Sequence, residues 1–168
     1  MVVVLTKEDI RRKIIEDKLI EGFIDLETQL QPNGFDCTLN KIYRIIESGK
    51  IDFDNKERVI PNVEEVEFEN NWVFLPEGVY RARINEIINL SDNLMAIGRP
   101  RSSLVRAGVN ILTAVWDAGY KGRSEVGVVI YNRKGVWFKK NARIMQLVFL
   151  KLSKKTELYS GKFYGENI

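Results

Sequence analysis

From residue 41 onward the chain is broken into short apolar or β-branched stretches separated by Gly, Pro, Asn and Asp. This spacing constrains the fold more than any other feature, because short runs punctuated by turn residues suit the strands of an all-β sandwich or jelly roll. Strands are expected over residues 41–46, 72–75, 78–84, 94–98, 125–132, 135–138 and 144–152. The last is almost continuously apolar, and Gln146 inside it needs hydrogen-bond partners if buried. Residues 50–70 carry many charges and read as a polar connection with one strand around Arg58–Ile60.

The clearest helix precedes this region. Thr6 is placed to cap residues 6–18, Asp9 holds the reciprocal capping-box position, and Ile10, Ile14 and Ile15 form one apolar stripe. One short helix is expected inside the β region, starting near Ser102 and ending before Gly108, since glycine is favoured just past a helix end. With 168 residues, 45% of them hydrophobic, the chain suits a single core, and one domain is expected over residues 1–158. Residues 159–168 lack periodicity and read as an arm. No apolar run approaches the roughly 18 residues of a membrane span, and Lys7, Glu8, Asp9, Arg11 and Arg12 stand where a signal peptide is apolar. The expectation is a soluble, cytoplasmic protein with no membrane partner.

The sequence has no histidine and a single cysteine, Cys37. An intrachain disulfide, a Cys/His zinc site and histidine-dependent nucleophilic catalysis are excluded together. A general base acting near neutral pH must then be a carboxylate, or a Lys or Tyr with a strongly shifted pKa. The net charge of +3 is too balanced to indicate a nucleic-acid polymer as partner, and Lys139-Lys140 and Lys154-Lys155 read as solvated pairs.

Five segments could carry chemistry. Arg99-Pro100-Arg101-Ser102-Ser103-Leu104 sets two hydroxyls at a helix start, where free N–H groups favour an anion, and Arg101 adds a bidentate cation. The same residues would also serve as a plain cap beside solvated arginines. Thr113 to Gly122 contains Asp117 three residues before Tyr120, in a hairpin whose glycines let the main chain approach a ligand. An ordinary Asp-Ala-Gly-Tyr turn is the alternative. Asp36 opens a strand after Asn33-Gly34-Phe35, where an acid either bonds local amides or holds a hydrated metal ion. Gln146 would bond a ligand phosphate or the backbone. Gly161-Lys162-Phe163-Tyr164-Gly165 suits either a lid over a flat ligand or an unstructured tail.

In order, these segments resemble the five motifs of the dUTPase and dCTP deaminase superfamily, from residue 4 to 165. Asn33-Gly34-Phe35-Asp36 is similar to the first motif and Pro100 to Leu104 to the second. Trp116 to Gly122 matches the third, Ile144-Met145-Gln146-Leu147 the fourth and Gly161 to Gly165 the fifth. The early helix followed by Gln31-Pro32 resembles the deaminase-like branch, which includes archaeal dUTPases and bifunctional enzymes. The resemblance implies a mainly β, dUTPase-like β jelly roll with an N-terminal helix and one short internal helix. It implies a homotrimer with shared active sites that hydrolyses dUTP to dUMP and diphosphate with Mg2+. By the same resemblance Asp117 is the base that activates water, Tyr120 stacks on the deoxyribose, and the backbone around residues 113–119, beginning at Thr113 and Ala114, and 126–128 reads uracil. Arg101, Ser102, Ser103 and Gln146 hold the triphosphate, and Asp36 reaches Mg2+ through water. Phe163 or Tyr164, in the motif with Lys162, covers the base as the arm closes from a neighbouring subunit.

dCTP deaminase, or a bifunctional deaminase and dUTPase, is the rival. It needs a glutamate three residues before an asparagine, and counting back from Asn132 gives Val129, which cannot shuttle protons. Residues 122–132 are two longer than either family pattern, and the surplus around residues 123–125 leaves Glu125 as the nearby alternative. Arg106 matches an arginine that deaminases use, and it would otherwise contact phosphate or a neighbouring subunit.

Overall fold

The computed structural model describes residues 3–168; residues 1 and 2 of the expected domain lie outside the described residues. The chain runs β1 (Val3–Val4), α1 (Lys7–Asp17), β2 (Ile20–Glu21), α2 (Leu26–Gln29), β3 (Leu30–Gln31) and β4 (Gly34–Ile45). It continues through β5 (Val63–Glu65), β6 (Trp72–Leu75), β7 (Gly78–Ile84), β8 (Ile87–Asn89), β9 (Leu94–Pro100) and α3 (Ser102–Arg106). It closes with β10 (Val109–Leu112), β11 (Lys121–Gly122), β12 (Glu125–Ile130), β13 (Val136–Lys139) and β14 (Arg143–Lys151). The paired strands are antiparallel and form a curled nine-stranded sheet along the path β1-β14-β4-β7-β12-β10, with β3 and β5 on β4 and β9 on β14. A three-stranded sheet, β11-β8-β2, and a ribbon, β13-β6, complete the jelly roll.

In α1 the Asp9 N–H donates to Thr6 Oγ1 and the Thr6 N–H returns to Asp9, the expected capping box. These bonds to Thr6 hold the Asp9 carboxyl below its usual range. Ile10 and Ile14 are buried, but Ile15 is 69% exposed, because one further residue turns the side chain about 100° around the helix. The four-residue α2, capped by Asp25 through the Thr28 N–H, was not expected. Nor is there a regular strand at Arg58–Ile60: Val59 makes a single bridge to Lys50, and pairing resumes at β5.

The largest difference is β4, Gly34–Ile45, in which the strand that Asp36 was expected to open and the one expected over residues 41–46 are a single continuous element. Its first six residues are all buried, so the polar side chains of Asp36 and Thr38 lie inside the sheet beside Cys37. Gly34 is needed there because a Cβ would strike the Leu147 carbonyl of β14 and lie 2.8 Å from Gln146 Nε2. The core holds Phe35, Leu39, Ile42, Ile84, Leu147 and Phe149, each at most 1% exposed. Among the described residues no helix is long and apolar enough to cross a membrane.

Candidate active site

β10 and β12 pair from Val109↔Ile130 to Leu112↔Gly127, so the intervening residues leave the sheet at one end. Trp116 is tied back to Ala96 of β9 by reciprocal 3.0 Å backbone bonds. The next residues form a turn in which the Tyr120 N–H donates to the Asp117 carbonyl (3.1 Å) and Gly119 takes φ +81°, a region costly for other residues. This turn exposes Asp117, whose carboxylate has no hydrogen bond or ion pair among the described residues, and buries the Tyr120 ring. The two line a cavity of about 300 Å³ with Ala114, Trp116, Ser124 and Glu125. Arg81 of β7 and Tyr159, Phe163 and Glu166 of the tail also line it. Burial pushes the Tyr120 hydroxyl pKa well up, keeping it a neutral donor.

A second cavity, about 720 Å³, is lined by Asp36, Arg101, Ser102, Arg106 and Gln146 with Gln31, Pro100 and Val105. Its floor is set by sheet register: Gln146 of β14 lies opposite Asp36 of β4 on one side and Arg99 of β9 on the other. Arg101 is the N-cap of α3 and makes no side-chain capping bond, which leaves Ser102 and Ser103 in the first turn. Arg101 Nε lies 2.9 Å from Asp36 Oδ2, and Arg143 Nη1 donates to the same oxygen at 3.2 Å. Asp36 is 2% exposed; burial raises its pKa, and the two guanidinium groups oppose that rise. Sequence reasoning missed Arg143, although a charged residue opening an apolar strand was a usable signal.

The two cavities share no lining residue. Ser103 and Lys162 are exposed and line neither, and the Thr113 hydroxyl turns to the Gly98 carbonyl at 3.4 Å. Tyr164 lies on a separate groove with Lys121 and Asn89. For a metal ion the described residues offer no cluster of three or more His, Cys, Asp or Glu side chains. Asp36 does fit an outer-sphere role: both arginines hold Oδ2, and no protein group among the described residues donates to Oδ1. A hydrated Mg2+ carried by phosphate oxygens asks for little more.

Behind Asp36 sits Glu86, 0% exposed. Its carboxylate accepts from the Thr38 N–H (2.9 Å), Thr38 Oγ1 (2.7 Å) and Gln29 Nε2 (2.7 Å), and Gln29 Nε2 also donates to the Asp36 carbonyl at 2.8 Å. Burial nonetheless raises the Glu86 pKa above its ordinary value. A raised folded-state pKa gives stability that is full below the unfolded value and lost as pH rises through the folded one. Glu86→Gln, which does not titrate, is therefore expected to gain stability relative to the parent as pH rises from acid to neutral. Melting curves of both proteins across that range check it, and a variant that loses ground with rising pH contradicts it.

Arg123 and Ser124 connect β11 to β12. From Glu125 to Ile130, β12 pairs with β7 without a bulge, which sets Glu125 opposite Arg83 and Val129 opposite Val79. Val129 is buried between Val79 and Asn110. Glu125 does line the Asp117 cavity, but Arg81 Nε at 2.8 Å and Arg83 Nη2 at 2.9 Å occupy its two carboxylate oxygens. Arg81, Ser124, Glu125, Tyr159 and Glu166 are cavity residues that the motif pattern did not predict.

The tail follows its own chain's hairpin. Tyr159 N–H donates to the Ala118 carbonyl (2.8 Å), Gly165 N–H to Lys121 (2.7 Å), and Arg123 N–H to Glu166 (2.9 Å). Leu158 packs against Gly119, and the Tyr159 ring meets Tyr120 edge-on at 5.8 Å.

The family model for dCTP deaminase-like proteins matches residues 4–152. A probable deoxyuridine 5'-triphosphate nucleotidohydrolase of Archaeoglobus fulgidus is 56% identical over 165 residues, covering 98% of each chain. The deoxyuridine 5'-triphosphate nucleotidohydrolase of Methanocaldococcus jannaschii is 35% identical over 141 residues, 83% of this chain and 89% of that one. Among solved structures, the 2'-deoxycytidine 5'-triphosphate deaminase of Agrobacterium tumefaciens shares the fold with a TM-score of 0.69 at 22% identity. That match covers 89% of this chain, which spans about half (48%) of the other.

Proposed function

The chain belongs to the dCTP deaminase-like family, and within it we propose that this protein hydrolyses dUTP to dUMP and diphosphate. The observation that carries this reading is an exposed Asp117 carboxylate, unpaired among the described residues, beside Tyr120 in a cavity, in a chain whose full-length relatives bear that hydrolase name. Asp117 takes a proton from the water that attacks the α-phosphorus, a role that suits a carboxylate in a chain without histidine. The new P–O bond forms as the bond to the diphosphate breaks, and the diphosphate departs as an anion. Tyr120 packs against the deoxyribose, and the main chain near Ala114 meets the base. Arg101, Ser102, Arg106 and Gln146, gathered around one cavity, bind the triphosphate oxygens. Asp36 would hold a hydrated Mg2+ beside the phosphates, and the ion when bound would supply charge stabilisation for the leaving diphosphate.

The separation of the two cavities supports an assembly in which copies of the chain combine them, a homotrimer with shared sites. Phe163 on the cavity wall supports the tail's role as an arm over the base. Deamination of dCTP is the weaker reading, since Val129 has no proton to move and Glu125 is held by two arginines. Purified protein with dUTP and Mg2+ is expected to release diphosphate, with the release abolished by a chelator and restored by Mg2+; unaltered release in the chelator removes the metal from the reaction.

A further inference from the structure

Arg123 and Ser124, the connection between β11 and β12, form a seat for the tail. Arg123 bonds it twice through the backbone, its N–H to the Glu166 carbonyl at 2.9 Å and its carbonyl to Asn167 Nδ2 at 2.9 Å. Ser124, 3% exposed, lies inside a chain of 2.7 Å hydrogen bonds with one consistent direction. The Trp116 indole N–H donates to Ser124 Oγ, the Ser124 hydroxyl to Tyr120 Oη, and the Tyr120 hydroxyl to Glu166 Oε1. The direction is fixed at both ends, because an indole nitrogen only donates and a carboxylate only accepts. Glu166 also joins Gly122 in a parallel bridge, so its backbone and side chain hold the hairpin together.

We propose that Glu166 is a positioning residue for Tyr120, which it anchors from the tail of the same chain by accepting the phenolic proton, so that tail docking sets the ring against the sugar. The proposal rests on the reading that Tyr120 packs on the deoxyribose and leaves no room for a 2'-hydroxyl. Without Glu166 the phenol keeps only Ser124 as a partner, and the ring, packed against Tyr159, loses its anchor from the tail. Discrimination between dUTP and UTP then weakens, whereas loss of a merely structural contact would leave that ratio alone.

The test is the ratio of kcat/KM for dUTP to that for UTP, with melting temperatures measured alongside. Glu166→Ala is expected to lower the ratio about tenfold, the effect of losing one charge-assisted hydrogen bond. Glu166→Gln keeps an acceptor oxygen and should stay near the parent. Tyr120→Phe, which keeps the ring and loses the hydroxyl, should match Glu166→Ala, and the double variant should fall no further. If Tyr120→Leu lowers the ratio and Glu166→Ala does not, the positioning role is overturned and the sugar assignment stands. If Tyr120→Leu leaves the ratio unchanged, the sugar assignment itself is overturned and the proposal falls with it.

Discussion

Asp117→Asn is expected to bind dUTP as the parent does and to turn it over about 10²–10⁴-fold more slowly, the contribution of a positioned general base. The substitution isolates that role unusually well. Asp117 is exposed, and its carboxylate makes no hydrogen bond or ion pair among the described residues, so the amide changes no contact that holds the turn. The turn itself depends on the Asp117 carbonyl and on Gly119, and neither is touched. Melting temperature and calorimetric affinity for dUTP should match the parent while kcat collapses. Parent-like turnover in Asp117→Asn removes this residue from the mechanism.

Arg101→Ala should produce the second largest loss, about 10²–10³-fold in kcat/KM for dUTP, the usual cost of removing one preorganised donor to developing charge. Arg101 does two things at once. It lines the cavity with Ser102 and Gln146, and its Nε holds Asp36, which is 2% exposed. Truncation leaves Arg143 as the remaining cation on a buried carboxylate, so a loss of about 1–3 kcal/mol of stability should accompany the kinetic loss. Arg101→Lys separates the two roles, because one ammonium cannot reproduce a fork shared between Asp36 and a phosphate. It should recover stability more than turnover. Urea unfolding beside steady-state kinetics on both variants checks this, and full activity in Arg101→Ala would contradict the phosphate assignment.

Strand positions set by turn residues were legible. Trp72–Leu75 and Gly78–Ile84 fall where the spacing puts them, and the Thr6-Asp9 capping box and the helix at Ser102 formed as expected. The burial of the polar residues that open β4 was not legible, because Asp36 and Thr38 are held by Arg101, Arg143, Glu86 and Gln29, up to 107 residues away. The misplaced Ile15 is a smaller case, a residue consistent with the stripe by type and off it by angle. Several motif residues line the two cavities, but the neighbours that hold them were not read from the sequence. Arg143, Glu125 and Glu166 reach the cavities or their walls through sheet register and tail docking, which local spacing does not encode. Periodicity was equally silent on the tail, since its order comes from backbone bonds to residues 118–123 rather than from a regular element.

The most direct test of the central claim is a side-by-side assay of dUTP and dCTP with Mg2+, scored for diphosphate and for ammonia. Diphosphate from dUTP with no ammonia from dCTP is the predicted result. Ammonia from dCTP, with dUTP left intact, would contradict it and return Glu125 to the list of proton carriers.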